Sequence, residues 1–300
     1  MNELMEIYQP IKEELKQVEE ILAARLGESK NKSILKLNHF LLESTGKRIR
    51  PALVILCGKA ASGHHLPLAI CHLTNIASAI ELIHIASLIH DDVMDHARLR
   101  HNRPTVNYKW GNDVAIASGD YLYSLAFELI SSCGNTNILE CISSATKSMC
   151  EGQLIQICER DNLDLLKERY ILIVKKKTAS LFAASCRVGA MLSNCQRNIQ
   201  SALEQYGLNF GIAFQIVDDC LDLIGQKEDL GKTPGADFRM GELTLPVLNL
   251  ISQSKDKDKD KDKIMACIRQ QDNPEAFEEI RQRFINSQAY PKTKEVALSY

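Results

Sequence analysis

No proline stands between Pro104 and Pro234, and the glycines in that stretch are isolated. Proline removes a backbone donor and breaks a helix interior, and glycine is the next most costly residue there. An interval this long with so few breakers leaves little that ends a helix or turns a hairpin, so it predicts long helices. Segments around 68–95, 113–132, 138–158, 165–193 and 197–224 read as helices, with Asn, Gly or Ser near their junctions. Residues 68–95, LAICHLTNIASAIELIHIASLIHDDVMD, contain neither Gly nor Pro and are apolar on nearly every face. That pattern belongs to a helix at the centre of a domain. Strand alternation is hard to find. The chain therefore predicts a single all-α domain over residues 1–300, a large bundle of roughly ten or more helices. The repeat KDKDKDKDK at 255–263 has no apolar face to bury and predicts a solvated loop or helix end.

Hydrophobic residues at 45% and charged residues at 25% describe a globular chain with material for a sizeable core, which excludes general disorder. With 36 basic against 38 acidic residues, no nucleic-acid footprint is present, and any anion site must be local. Ten cysteines show no C-x-x-C pair and read as reduced core residues, which points to the cytoplasm. The N-terminus lacks a signal-peptide apolar region, and no eighteen uninterrupted apolar residues occur, so the chain is not expected to be an integral membrane protein.

The pattern D-D-x-x-D occurs twice, at Asp91, Asp92 and Asp95 and at Asp218, Asp219 and Asp222. On a helix, positions i and i+4 share a face, so each copy gathers three carboxylates into one patch. Both copies end strongly apolar helices, HIASLIHDDVMD and GIAFQIVDDCLD, at the mouth of a core. Two like charges about 4 Å apart repel by about 4 kcal/mol at an effective dielectric of 20, so cations must compensate. Oxygen donors without zinc-type Cys or His spacing favour a hard ion such as magnesium, which prefers few carboxylates together with water and phosphate oxygens. A diphosphate substrate is implied. Either cluster alone reads as a solvated helix end; two copies at identical spacing favour the metal.

Phosphate contacts need basic groups, and Gly46-Lys47-Arg48-Ile49-Arg50-Pro51 supplies three in four positions. Lys177 precedes Thr178 in KTASLF, and Lys232 lies in LGKTPGADFRMGELTLP. Taken singly, such clusters are ordinary surface charge.

The series GKRIRP, ELIHIASLIHDDVMD, RPTVN, GNDVAIASGDYL, KTASLF and GIAFQIVDDCLDLIG followed by GKTPGADFRMGELTLP resembles the trans-isoprenyl diphosphate synthases (polyprenyl synthetases) over nearly the whole chain. The resemblance implies a helical bundle of the isoprenoid synthase type with a central substrate cavity. It implies that the six aspartates bind magnesium, about three ions with the allylic diphosphate. Arg100, Lys177, Gln215 and Lys232 would assist that diphosphate, and Lys47, Arg50 and His84 would hold isopentenyl diphosphate. Thr178 and Gln215 would lie near the developing carbocation. The implied reaction is ionisation of a farnesyl or geranylgeranyl primer, attack by the isopentenyl double bond, and proton loss to the released pyrophosphate. A homodimer is implied, with no nucleic-acid partner and a product passed to membrane enzymes.

By the same resemblance, Ala86, five positions before Asp91, lines the pocket for the growing chain, where short-chain members carry an aromatic. Ile83 and Ala79 share its helical face, with Ile83 as the first constriction. The resemblance implies a polyprenyl diphosphate product of about six to ten units, of the kind that becomes a quinone tail, and helical spacing adds only that its path continues past Ala79. Two departures from the family pattern stand out: His101, at a substrate-binding position where an arginine that touches isopentenyl diphosphate is usual, and Glu242 where a lysine is common, so that an expected diphosphate contact becomes an acid. The stop at Tyr300, earlier than in most relatives, is read as the loss of a C-terminal lid. These features support an alternative reading, a weakly or non-catalytic subunit of a heteromeric synthase; a short-chain synthase is a separate and less favoured alternative. A terpene cyclase fits less well, because GKRIRP and His84 imply a second diphosphate.

Overall fold

The computed structural model describes residues 2–43, 46–62, 70–100, 102–159, 167–225, 234–253, 257–270 and 273–300. His101, Lys232 and residues 255–256 of the charged repeat lie outside the described residues. In chain order the elements are α1 (Asn2–Tyr8), a 3-10 turn (Gln9–Ile11), α2 (Lys12–Gly27), α3 (Lys32–Leu42), α4 (Ile49–Ser62) and α5 (Ile70–Met94). A two-residue pair, β1 (Leu99–Arg100) and β2 (Arg103–Pro104), leads to α6 (Val106–Trp110), α7 (Asn112–Ser132) and α8 (Thr136–Cys158). Then come α9 (Lys167–Val174), a π turn (Lys175–Ala179), α10 (Ser180–Leu192) and α11 (Arg197–Ile224). The chain closes with α12 (Ala236–Arg239), α13 (Leu245–Ser252), α14 (Lys257–Ile268), α15 (Pro274–Ile285) and α16 (Ala289–Leu298). The five long helices expected from the breaker-poor interval and its flank are α5, α7, α8, α9 joined to α10 through the π turn, and α11.

Two local features refine the expectation. Strands β1 and β2 pair antiparallel, with Arg100 opposite Arg103. Asn102 turns the chain with φ at 59°, a left-handed value that asparagine tolerates. Thr105 pins the base of the hairpin, its Oγ1 donating to Ala97 O at 2.7 Å and its N–H to Arg98 O at 3.1 Å. The second is the charged repeat, which from Lys257 onward forms the start of α14, the helix end that is one of its two expected forms. The apolar end of that helix buries Ile264, Met265 and Ile268 in a core, and a helix anchored there propagates back into the repeat at little nucleation cost.

The chain forms two compact units. The first comprises Met1–Met94, Trp110–Thr146 and Leu181–Gly207. Its centre is α5, against which α2, α4 and α7 pack. Leu73, Ile76, Ala79, Ile80, Ile83 and Ala86 are essentially inaccessible to solvent, which explains a helix apolar on all faces. Helix α7 passes close to α5 at Gly119, where a Cβ would stand 2.2 Å from His90 Nε2. Residues His72–Met94 have the length and hydropathy to cross a membrane, but 67% of the most apolar window is buried inside the protein.

The second unit comprises Asp95–Lys109, Lys147–Ser180 and Leu208–Tyr300. One apolar cluster joins Phe238, Leu250, Ile264, Ile280 and Phe284, and another joins Tyr170, Val174, Ile212, Ile216 and Leu245. Nine cysteines among the described residues are free. Cys57, Cys186, Cys220 and Cys267 are buried as expected, whereas Cys150 and Cys158 are exposed on α8.

Candidate active site

Each aspartate cluster lies at the C-terminal end of its helix. Asp91 and Asp92 occupy the last turn of α5, with Asp95 just beyond it, and Asp218, Asp219 and Asp222 occupy the last two turns of α11. A helix C-terminus carries a partial negative charge, so each carboxylate there costs about 0.3–1 kcal/mol. Asp92, Asp219 and Asp222 are also buried, at 5%, 5% and 3% exposure. Stability alone gives no reason for this placement.

In the second unit the cluster on α11 is held by a network. Asp219 Oδ2 accepts from Tyr170 Oη at 2.6 Å, and its Oδ1 accepts from Gln215 Nε2 at 2.7 Å. Gln215 Oε1 in turn accepts from Thr178 Oγ1 at 2.8 Å. Burial pushes the Asp219 carboxyl up from 3.8 to about 7, and the neighbouring charges of Asp218 and Asp222 add to the rise, while the two hydrogen bonds oppose it. The Tyr170 phenol rises well above its ordinary value, first from burial and then from Asp219. Asp222 Oδ2 accepts the backbone N–H of Asp237 at 3.1 Å, and its carbonyl accepts from Gly235 N–H at 2.8 Å. Gly235 adopts φ at 81°, which lets the chain turn into α12 at this point. Asp219, Asp222, Asp237 and Glu242 line one pocket with Thr244.

The π turn presents three side chains in succession. Lys176 pairs with Glu151 at 2.6 Å, Lys177 Nζ donates to Gln156 Oε1 at 2.9 Å, and Thr178 meets Gln215. Widened turns of this kind inside helices recur at functional sites. The backbone of α8 crosses the turn at Gly152, where a Cβ would stand 2.4 Å from Lys177 N. Gln156, one helical turn after Gly152, is thereby brought to Lys177, and its Nε2 donates to Glu242 Oε2.

The basic segment lies in the first unit, and its three cations have different roles. Arg48 is 9% exposed and spends its guanidinium on Glu19 at 2.6 Å and Glu81 at 2.7 Å. It joins the segment to α5 one turn before His84 and is a structural residue, not a phosphate ligand. Arg50 stacks on Phe182, 4.1 Å from the ring centroid, and its Nε is buried without a hydrogen bond. Burial lowers its pKa to about 10, partly offset by Glu81. An anion would satisfy that donor. Lys47 is exposed, and its carbonyl accepts from Tyr8 Oη at 2.7 Å. Arg100 sits on the β hairpin of the second unit, partly buried. Ala79, Ile83 and Ala86 are fully buried on α5.

Sequence reasoning missed Tyr170, Gln156 and Asp237. The first two lie 49 and 86 residues from their partners, a separation that no local pattern signals. Among the described residues, no three Asp, Glu, His or Cys side chains stand together as a ready-made metal cage. The donor set nevertheless fits magnesium: it is all oxygen, burial and then the charges of Asp218 and Asp222 raise Asp219 so that a cation there would be favoured, and magnesium takes only one or two carboxylates with water and phosphate completing its shell.

The polyprenyl synthetase family matches residues 31–284. The chain belongs to that family. It is 39% identical over 215 residues to heptaprenyl diphosphate synthase component 2 of Geobacillus stearothermophilus, covering 72% of this chain and 66% of that protein. It is 34% identical over 257 residues to a short chain isoprenyl diphosphate synthase of Methanothermobacter thermautotrophicus, covering 84% and 78%. A crystal structure of polyprenyl synthase from Caulobacter crescentus CB15, complexed with calcium and isoprenyl diphosphate, superposes with a TM-score of 0.92 at 32% identity, covering 99% of this chain and 88% of that one. The matched part thus spans about two thirds of the heptaprenyl relative. This polyprenyl synthetase has the all-α isoprenoid synthase fold that its sequence predicted.

Proposed function

We propose that this polyprenyl synthetase condenses an allylic diphosphate with isopentenyl diphosphate, head to tail, and repeats the step to give an all-trans polyprenyl diphosphate of about six to ten units, the length that the family resemblance implies and with which the small Ala86 on the face before the first aspartate cluster is compatible. The observation that carries the reading is the connected set Thr178, Gln215, Asp219 and Tyr170 beside Lys177 and Gln156, which holds carboxylates, a cation and dipoles as one preorganised group. In this reading Asp91, Asp92, Asp95, Asp218, Asp219 and Asp222 hold magnesium, which when bound neutralises the leaving diphosphate. Lys177 donates to that diphosphate, with Lys232 and Arg100 as further cations. Lys47, Arg50 and His84 hold the isopentenyl diphosphate, and the buried, unbonded Arg50 Nε supports an anion there. The calcium and isoprenyl diphosphate bound by the Caulobacter protein support the same pairing of a hard cation with a diphosphate.

The chemistry asked of the protein is charge stabilisation and exclusion of water. The carbonyl oxygen of Gln215 and the hydroxyl of Thr178 turn their dipoles toward the developing cation, and the departing pyrophosphate takes the proton, so no nucleophilic side chain is required. In this reading Ala86 and Ala79 are the small residues of an apolar face along which the growing chain passes, and Ile83 between them is its first constriction. We further propose a homodimer in the cytoplasm, which nine free thiols favour. A relative named as component 2 favours a second reading, in which the chain needs another protein to work. Pyrophosphate release tests the main reading: the purified chain with an allylic primer, isopentenyl diphosphate and magnesium should release one pyrophosphate per isopentenyl unit consumed. Absence of release by the chain alone, restored by a second protein, would favour the component reading.

A further inference from the structure

Glu242 stands where the family commonly has a lysine, and from sequence it reads as a lost contact to diphosphate. The hydrogen bonds around it give a different account. Gln156 Nε2 donates to Glu242 Oε2, and Gln156 Oε1 accepts from Lys177 Nζ at 2.9 Å. The amide therefore bridges an anion and a cation. We infer that Glu242 is a positioning residue for Lys177, acting through Gln156. This inference rests on the reading of Lys177 as a ligand of the allylic diphosphate.

A primary amide has one end that only accepts and one that only donates. Turned round, the Gln156 amide would set its NH2 against the Lys177 ammonium and its carbonyl against the Glu242 carboxylate, two repulsive contacts in place of two attractive ones. The charges at both ends select one orientation, and hydrogen bonds to charged partners are the strong ones. The backbone on each side is fixed. Gln156 lies one turn after Gly152, where α8 touches the backbone of Lys177, and Glu242 N–H donates to Asp237 O at 2.9 Å in the turn after α12. Lys177 has three N–H donors, and Gln156 takes one, which sets the direction of the other two. A long, flexible lysine chain is thereby held before a ligand arrives, so less conformational freedom is lost on binding. Glu242 also brings a negative charge toward an anionic ligand, so the two effects oppose each other and their sign can be measured.

The test is calorimetric binding of inorganic pyrophosphate in excess magnesium. Glu242→Leu should weaken binding by about tenfold in the wild-type background, the size of one hydrogen bond to a charged group. In a Lys177→Leu background the same change should cost less than about twofold, because contacts that act in series are not additive. Glu242→Gln, which keeps an acceptor oxygen and perturbs folding least, should retain most of the affinity. Equal losses in both backgrounds, or tighter binding by Glu242→Leu, would overturn the inference, the second outcome by showing that charge repulsion dominates. If the wild-type chain binds no pyrophosphate, the diphosphate reading fails, and the bridge itself is judged in the ligand-free protein. There the 15N resonance of Lys177 Nζ should shift in both Glu242→Leu and Gln156→Leu; an unchanged resonance in either overturns the bridge.

Discussion

Replacing Asp219 by asparagine should make the metal-free protein more stable at pH 8 while abolishing its activity. Asp219 is 5% exposed, and its carboxyl is raised from 3.8 to about 7, chiefly by burial and secondarily by Asp218 and Asp222. A raised folded-state pKa means that the native protein binds more protons than the unfolded chain between those two values. Stability contributed by this group is therefore fully present below pH 3.8 and is lost as pH rises through about 7. A tenfold change in proton affinity corresponds to about 1.4 kcal/mol, so the ionised carboxylate burdens the folded state by at most about 4 kcal/mol. Asparagine removes that charge at constant shape. It also introduces an NH2 that faces a donor, either Gln215 Nε2 or Tyr170 Oη, and one mismatched hydrogen bond costs about 1–2 kcal/mol. The net expectation is a gain of about 2 kcal/mol at pH 8 that falls through zero as pH drops and becomes a loss of about 1–2 kcal/mol near pH 4, where only the mismatched hydrogen bond remains. Urea unfolding followed by circular dichroism in a chelating buffer reads this directly. A loss of stability at pH 8, or a gain that is the same at pH 8 and pH 5, would refute the reasoning, since it would mean that the buried charge is not what strains this site.

Other expectations follow from the same contacts. Asp91→Ala and Asp218→Ala should each lower turnover by orders of magnitude in a labelled isopentenyl diphosphate assay, and a near-normal rate in either contradicts the metal assignment. Gly152→Ala sets a methyl 2.4 Å from Lys177 N, so it should cost about 1–3 kcal/mol of stability by urea titration and lower kcat more than KM; a neutral variant would mean that α8 and the π turn are not in contact. Ala86→Phe should shorten the product seen by thin-layer chromatography, and an unchanged product would remove Ala86 from the elongation path. Arg48→Ala should destabilise by about 3–5 kcal/mol because it leaves Glu81, 3% exposed, without its cation, and a loss below about 1 kcal/mol would show the pair to be dispensable.

Helix α5 was legible in the sequence because a 25-residue run without Gly or Pro, apolar on every face, has few other solutions than a buried helix. The aspartates were legible as two helix-end groups, each at the end of a long apolar helix, although Asp95 falls just beyond α5 instead of on its face. The π turn was not, since KKKTA has no local preference that separates it from the α-helix on either side, and the extra residue is accommodated where α8 presses in at Gly152. The differing fates of Lys47, Arg48 and Arg50 were equally hidden. Three cations in one short segment look alike until Glu19 and Glu81 claim Arg48 and the Phe182 ring takes Arg50. Glu242 was visible as a departure, but its meaning depended on Gln156, 86 residues away. The charged repeat left loop and helix end equally open, because its own residues have nothing to bury and the helix is fixed by Ile264 and Met265 after it.

The most direct test of the account is incubation of the purified chain, alone, with farnesyl or geranylgeranyl diphosphate, labelled isopentenyl diphosphate and magnesium, followed by product sizing. The account predicts magnesium-dependent label in a polyprenyl diphosphate longer than the primer by several units, about six to ten in total as the family resemblance implies, with Ala86 on the helical face that the growing chain passes. No elongation by the isolated chain, or elongation unaffected by a chelator, would contradict it.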